Sequence, residues 1–281
     1  MNSLIDGETR LYSLYGQPVS HSLSPLMFNT TFEKLGFNGA YVAFDVSPNR
    51  LGSAVDAARS LGFEGFNVTM PHKTTISPFL DKIENGAEEI GSVNTVVRNG
   101  RRLTGYNTDG DGALRALRAH GFEPEGQKVL VIGAGGAARA ITHSLARKAD
   151  EIRVLDRDAK KARSIIDRLD GTAKALHGAL SKKKFQQNLD GATLLVNATP
   201  VRTSGLVNRL GLPQTVLPRN LWIFDLAYDP RPDRKIGKKR IHPLEMLVQQ
   251  AALSYELWLG QQAPLELMRS ILVEHNGADW K

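Results

Sequence analysis

Short apolar runs alternate along this chain with stretches in which apolar side chains recur at helical spacing. That alternation predicts α/β layers with mainly parallel strands. Strands are expected at Leu11–Tyr15, Tyr41–Val46, Gly65–Thr69 and Val93–Arg98, with helices over Pro25–Leu35 and Arg50–Leu61. Ser24-Pro25 reads as an N-cap followed by proline at the first helical position. Asn99-Gly100, between Val93–Arg98 and Arg102–Tyr106, reads as a two-residue hairpin turn. A second unit starts after Gly126. The all-apolar Val129–Ile132 enters a glycine-rich turn and a helix running through Ala146, followed by a strand at Glu151–Asp156. Leu194–Asn197 and Leu221–Leu226 read as further buried strands, and Pro243–Leu259 and Pro264–Val273 as two closing helices.

The chain has 281 residues, which favours two domains over one. With no cysteine, disulfides, thiolate metal sites and cysteine nucleophiles are excluded, and a reducing compartment suits the composition. The first residues, Met1-Asn2-Ser3-Leu4-Ile5-Asp6-Gly7-Glu8, carry an acid where a secretory signal has an apolar run. No apolar stretch is long enough to span a bilayer, so a cytoplasmic location and no membrane partner are expected. The net charge is +7, with basic clusters at Lys182-Lys183-Lys184 and at Arg234-Lys235 with Lys238-Lys239-Arg240. No aromatic residues interleave with these lysines as a nucleic-acid stacking surface requires, so they read as solvated faces. The positive field favours anionic small substrates and phosphorylated cofactors.

Gly133-Ala134-Gly135-Gly136-Ala137-Ala138 follows a strand and opens a helix, the context that makes a dinucleotide fingerprint specific. The glycines permit a tight turn and let a pyrophosphate approach the backbone at a helix N-terminus. The end of the next strand, Asp156-Arg157-Asp158-Ala159-Lys160-Lys161, meets the adenosine ribose in such a unit. Asp156 there suits the free ribose hydroxyls of NAD, whereas Arg157 can clamp the 2′-phosphate of NADP. Both readings stand on the residues alone.

Gly65-Phe66-Asn67-Val68-Thr69-Met70-Pro71-His72-Lys73 places polar groups at the end of an apolar strand, which costs core stability unless a ligand uses them. A second window, Gly105-Tyr106-Asn107-Thr108-Asp109-Gly110-Asp111-Gly112, has the same character. A lone lysine is ordinarily a solvated surface residue, but Lys73 ends such a strand, and Asp111 reads as a helix-start charge. The histidines show no paired ligand spacing, so no metal is expected, and Ser22 and Ser24 lack the context of a hydrolase nucleophile.

With Ser20-His21-Ser22-Leu23-Ser24-Pro25, these segments resemble the shikimate dehydrogenase family in motif and in order, over nearly the whole chain. The resemblance implies an α/β protein of two domains. These are a substrate-binding domain over residues 1–108, a Rossmann dinucleotide-binding domain over 109–243, and helices over 244–281 returning to the substrate domain. It implies reversible, NADPH-dependent reduction of 3-dehydroshikimate to shikimate in aromatic amino-acid biosynthesis, with Lys73 and Asp109 as the proton-transfer pair facing across the cleft between the domains. Ser22 and Ser24 would hold the substrate carboxylate, and Thr69, Asn94, Tyr228 and Gln250 the rest of the ring, with Gln249 the neighbour most easily confused with Gln250. The cofactor would lie on Gly133, Ala134, Gly135, Gly136 and Ala137, on Asp156, Arg157 and Lys161, and on Thr199 and Met246. Family members that use NADP carry an Asn-Arg-Thr run where this chain has Asp156-Arg157-Asp158, so NADP is implied, with NAD the alternative. Partners are the small-molecule substrate and, at most, a second copy of the chain, as monomer or homodimer.

The chain departs from the family at Phe28, where histidine is common, and at Pro200-Val201-Arg202, where small residues are usual. Pro243 stands where a glycine usually lies beside the nicotinamide, and the segment between Pro230 and Met246 is short. Two other readings remain open: an NAD-dependent quinate/shikimate dehydrogenase, and a non-catalytic dinucleotide-binding regulator. The regulator would need neither Lys73 nor Asp109.

Overall fold

The computed structural model describes residues 5–169, 173–227 and 239–276. In chain order the elements are β1 (Arg10–Gly16), α1 (Ser24–Lys34), β2 (Gly39–Asp45), α2 (Leu51–Ser60), β3 (Gly65–Val68), β4 (Lys82–Ile83), α3 (Asn85–Ile90), β5 (Thr95–Asn99) and β6 (Arg102–Tyr106). They continue with α4 (Asp109–Ala119), β7 (Lys128–Ile132), α5 (Gly136–Ala146), β8 (Glu151–Asp156), α6 (Ala159–Ile166), β9 (Lys174–Ala179), α7 (Lys182–Leu189), β10 (Leu194–Asn197), α8 (Thr203–Arg209), β11 (Trp222–Asp225), β12 (Lys239–Ile241), α9 (Pro243–Leu259) and α10 (Leu265–Asn276). The chain divides into two compact units, residues 1–108 with 247–281, and residues 109–246. The break within α9 falls between Met246 and Leu247.

The first unit holds a six-stranded sheet in the order β2-β1-β3-β5-β6-β4. β1 pairs in parallel with β2 and β3, and β5 runs antiparallel to both β3 and β6. The β5–β6 hairpin turns at Gly100, whose φ of +63° is open to glycine without strain. On one face Tyr15, Val55, Phe66, Val68, Val93, Val96 and Leu103 form the apolar core. On the other α9 comes close, because Gly65 lacks a side chain: a Cβ there would lie 2.2 Å from Trp258 Nε1. That indole N–H donates to the Val96 carbonyl at 2.9 Å, fastening α9 to the sheet.

The second unit holds a six-stranded sheet in the order β12-β11-β10-β7-β8-β9, with every pair parallel. Strands buried on both faces read as continuous apolar runs, as Val129–Ile132 and Leu194–Val196 do, each residue at 0% exposure. The order reverses between β7 and β10, so the crevice beyond the carboxyl ends of these two strands is the place where a doubly wound sheet binds ligands.

One local expectation is overturned. Ser24 is not the N-cap of α1: it is the first helical residue, Leu23 holds the cap position, and no side chain caps there. Ser22 supplies the nearby oxygen, its Oγ accepting from the Ser24 N–H at 3.3 Å.

Candidate functional site

In the first unit the polar residues of the motifs meet in one buried hydrogen-bond network. Asn67 on β3 is 6% exposed and Asn94, just before β5, is fully buried. The Tyr41 hydroxyl donates to Asn67 Oδ1 at 2.9 Å, and Asn67 Nδ2 lies within reach of Asn94 O, Thr95 Oγ1 and Ser254 Oγ. Asn94 Oδ1 accepts from Thr108 N–H at 2.8 Å, and Asn94 Nδ2 donates to Thr108 Oγ1 at 2.9 Å and Gln250 Oε1 at 3.3 Å. Satisfied networks of this kind rigidify a site, whereas partly satisfied ones destabilise it.

Ser24 joins the network at its other end. Burial pushes the Tyr41 phenol far above the ordinary tyrosine range, and a hydrogen bond with Ser24 opposes that shift. Phe28 stacks on the Tyr41 ring at 4.6 Å and 14°, which gives a physical use to the residue that replaces the family's histidine. The structure thus connects Ser24, Asn94 and Gln250. The side-chain amides of Asn67 and Asn94 are both engaged with protein groups. The links through Tyr41, Thr95, Thr108 and Ser254 were missed. For Thr95 the signal is in the strand register, which sets it opposite Asn67.

Thr69 is half-buried and its N–H donates to Tyr15 O at 2.8 Å, which continues the β1–β3 ladder past the strand end. Lys73 lies on the 3-10 turn His72–Thr74 and is half-buried. The turn is held on two sides. The Lys73 carbonyl accepts from Val93 N–H at 2.8 Å, and His72 Nε2 lies 2.7 Å from Val46 O. A carbonyl only accepts, so Nε2 carries the hydrogen in this contact. Gln250 is half-buried and Gln249 buried, which separates the two neighbours physically. Tyr228 lies outside the described residues.

Asp109 belongs to the second unit, as the first residue of α4, and is 3% exposed. Asp111, two residues on, is exposed. Both sit in the first helical turn, where negative charge interacts favourably with the helix dipole.

The glycine-rich turn after β7 has the shape an anionic ligand needs. Gly133 adopts φ +109°, and a Cβ on it would lie 2.9 Å from the Ala198 carbonyl oxygen, so only glycine fits. Gly135 holds the N-cap position of α5 in extended conformation, with no side-chain cap. It is exposed, and nothing lies within 4 Å of where its Cβ would be. No side chain caps the first-turn amides of α5, at Gly136 and Ala137, and such a helix start suits an anion. Ala134 is buried beneath the turn. The residues present fit a dinucleotide pyrophosphate.

At the end of β8 the two acids have structural work. Asp156 Oδ1 accepts from Asp158 N–H at 2.8 Å, and Asp158 caps α6 by accepting from Lys160 N–H at 2.9 Å. Arg157 and Lys161 are exposed beside them. Thr199 is half-buried after β10, its hydroxyl 2.7 Å from Asn197 Oδ1. Met246 is 7% exposed within the same apolar cluster as Phe224 and Ile241, so most of its side chain packs in the core. Among the described residues no group of three or more His, Asp or Glu side chains is arranged to hold a metal ion, and no helix is long and apolar enough to cross a membrane.

The profile of the shikimate dehydrogenase substrate binding domain matches residues 14–96, and that of the shikimate 5′-dehydrogenase C-terminal domain matches residues 244–272. Residues 129–214 match the saccharopine dehydrogenase NADP binding domain. A protein of Methanopyrus kandleri named shikimate dehydrogenase (NADP(+)) is 42% identical over 96% of this chain and 97% of its own. The chain belongs to the shikimate dehydrogenase family. Solved members superpose closely. Shikimate 5-dehydrogenase from Listeria monocytogenes, in complex with shikimate and NAD, is 32% identical with a TM-score of 0.85, covering 97% of this chain and 99% of its own. The enzyme from Thermus thermophilus, in complex with NADP(H) and shikimate, is 33% identical with a TM-score of 0.80, covering 95% of this chain and 99% of its own. Family membership makes this chain an α/β protein with a substrate-binding domain and a Rossmann-like dinucleotide-binding domain.

Proposed function

We propose that this protein reversibly reduces 3-dehydroshikimate to shikimate with NADPH. The observation that carries the reading is the pairing of two features. One is the uncapped, open glycine-rich turn of the second unit; the other is the buried network of the first unit that ends on Ser24, Asn94 and Gln250. Full-length similarity at 42% identity to a relative named for this activity supports it.

In the proposed reaction Ser22 and Ser24 hold the substrate carboxylate by hydroxyl donation, and Thr69, Asn94, Tyr228 and Gln250 hold the ring oxygens. Asn94 is suited to this because Thr108 N–H fixes its Oδ1, so the amide cannot flip without losing a buried bond. A site built to hydrogen-bond hydroxyls rejects analogues that lack them. The bound reduced nicotinamide supplies the hydride. Lys73 donates the proton to the carbonyl oxygen that becomes the hydroxyl, and takes it back in the reverse direction. Asp109 is assigned as its charged partner, which would orient the ammonium group.

On the cofactor, Arg157 and Lys161 are assigned to the 2′-phosphate. Asp156 and Asp158, which on sequence alone pointed to NAD, are both engaged with backbone N–H groups. Each bond uses only one carboxylate oxygen, so the assignment to NADPH rests on Arg157, Lys161 and the relatives named for NADP(+). Loss of reduced-cofactor absorbance with 3-dehydroshikimate, measured with NADPH and with NADH, tests the proposal. Turnover with a preference for NADPH is expected, and no turnover with either cofactor contradicts it.

A further inference from the structure

Asp225 is the last residue of β11 and is 2% exposed, a carboxylate that touches neither surface nor solvent. Burying a charge is costly unless it is thoroughly hydrogen-bonded. Here Oδ1 accepts from Asn197 Nδ2 at 2.7 Å, from Thr203 Oγ1 at 2.8 Å and from Thr203 N at 3.1 Å. Burial still pushes its pKa upward, against the pull of these bonds.

The two partners flank one short segment. Asn197 ends β10 and Thr203 begins α8, and both are fully buried. Asn197 also draws in the middle: Nδ2 donates to Val201 O at 2.6 Å, and Oδ1 accepts from Thr199 N and from Thr199 Oγ1. The segment's inner surface rests on the dinucleotide fingerprint, since a Cβ on Gly133 would lie 2.9 Å from Ala198 O and 3.5 Å from Thr199 Cγ2. This contact lies between the ends of β7 and β10, where the strand order reverses.

We propose that Asp225 is a positioning residue for the dinucleotide: through Asn197 and Thr203 it clamps residues 198–202 against Gly133 and so sets the shape of the cofactor seat. The inference rests on the dinucleotide reading of the second unit. Asp225 has no open face toward a ligand, so it acts only through the backbone it holds. A mid-strand polar pair that merely stabilised the sheet would not grip both ends of a loop lying on the fingerprint.

The test is equilibrium binding of NADPH, followed by its own fluorescence, beside the KM for shikimate in the same variants. Thr203→Val keeps the side-chain shape and removes one donor to the carboxylate. Loss of one charge-assisted hydrogen bond within the seat predicts a rise in NADPH Kd of about three- to tenfold. The KM for shikimate should stay within about twofold, because no binding energy of the first unit is altered. Thr203→Ser, which retains the hydroxyl, should restore the wild-type Kd. Asp225→Asn should weaken NADPH more than Thr203→Val does, and if it does not fold, the Thr203 pair still decides. Wild-type NADPH affinity in folded Thr203→Val, with only its melting temperature lowered, overturns the inference and leaves the cofactor reading intact. Failure of the wild-type protein to bind NADPH at all overturns both.

Discussion

Gly110 lies against Ser144 so closely that a Cβ on the glycine would stand 2.2 Å from Ser144 Oγ and 2.7 Å from the Ala140 carbonyl oxygen. Gly110 follows Asp109 on α4, and Ser144 lies on α5, the helix that starts at the glycine-rich turn. The missing side chain therefore sets the distance between the helix carrying the proposed proton-transfer acid and the helix proposed to seat the pyrophosphate.

Gly110→Ala tests this contact by the sign of its effect. On an unobstructed helix the change stabilises by about 1 kcal/mol. Here α4 must move off a backbone carbonyl, so a net loss of about 1–3 kcal/mol is expected from overpacking. Turnover should fall with it, because Asp109 shifts along with the helix. Urea unfolding reads the first effect as a lowered midpoint, and a raised midpoint would contradict the packing argument.

Asp156→Asn should raise the NADPH/NADH ratio of kcat/KM. The amide oxygen can keep the bond to Asp158 N–H, so the loop retains its shape. What is lost is a negative charge beside the proposed 2′-phosphate site. The site is solvated at Arg157 and Lys161, so the change should be modest and should shrink as salt is added. An unchanged ratio would place the adenosine end elsewhere.

His242 gives stability a pH dependence in a defined window. Burial, then the charges of Arg240 and Arg202, hold its pKa at about 4, below the ordinary 6.5. Between those values the unfolded chain binds a proton that the folded chain refuses, so stability rises with pH across that interval. The contribution is complete above the unfolded value and is lost as pH falls toward the folded one. Leu244 N–H donates to His242 Nδ1 at 3.2 Å, a role open only to the unprotonated nitrogen. His242→Asn keeps an acceptor at this helix start and should flatten the slope of unfolding free energy against pH. An unaltered slope would assign the dependence to other groups.

Two strands of the second sheet were legible in the sequence to the residue: Leu194–Asn197 forms β10 as read from its apolar run, and Glu151–Asp156 forms β8 as placed after the glycine-rich turn and its helix. The Asn99-Gly100 turn also appears where its residues demand it. The edge strand β9 was not legible, because Lys174–Ala179 is largely exposed and carries no alternation. β4 has two residues and α3 six, too short for any period to show. Within the candidate site, Ser24, Asn94 and Gln250 were named through the family resemblance and not from the apolar pattern. Tyr41 and Ser254 were not named, since a tyrosine and a serine within apolar stretches look like ordinary core and helix residues until β2 and α9 bring them to Asn67. The N-cap assigned to Ser24 failed for a related reason: sequence cannot tell which of two nearby hydroxyls, Ser22 or Ser24, serves the helix start.

The most direct test of the account is NADPH-dependent reduction of 3-dehydroshikimate by the wild-type protein and by Lys73→Ala, with shikimate affinity measured on both by calorimetry. Turnover is expected in the wild type, with a kcat lower by about 10²–10⁴-fold in the variant, the usual contribution of a positioned proton donor. Shikimate Kd should change by far less, since the hydrogen bonds that hold the ring come from other residues. A Lys73→Ala protein that keeps the wild-type kcat while losing shikimate affinity would contradict the account, because Lys73 would then bind the substrate without carrying the proton.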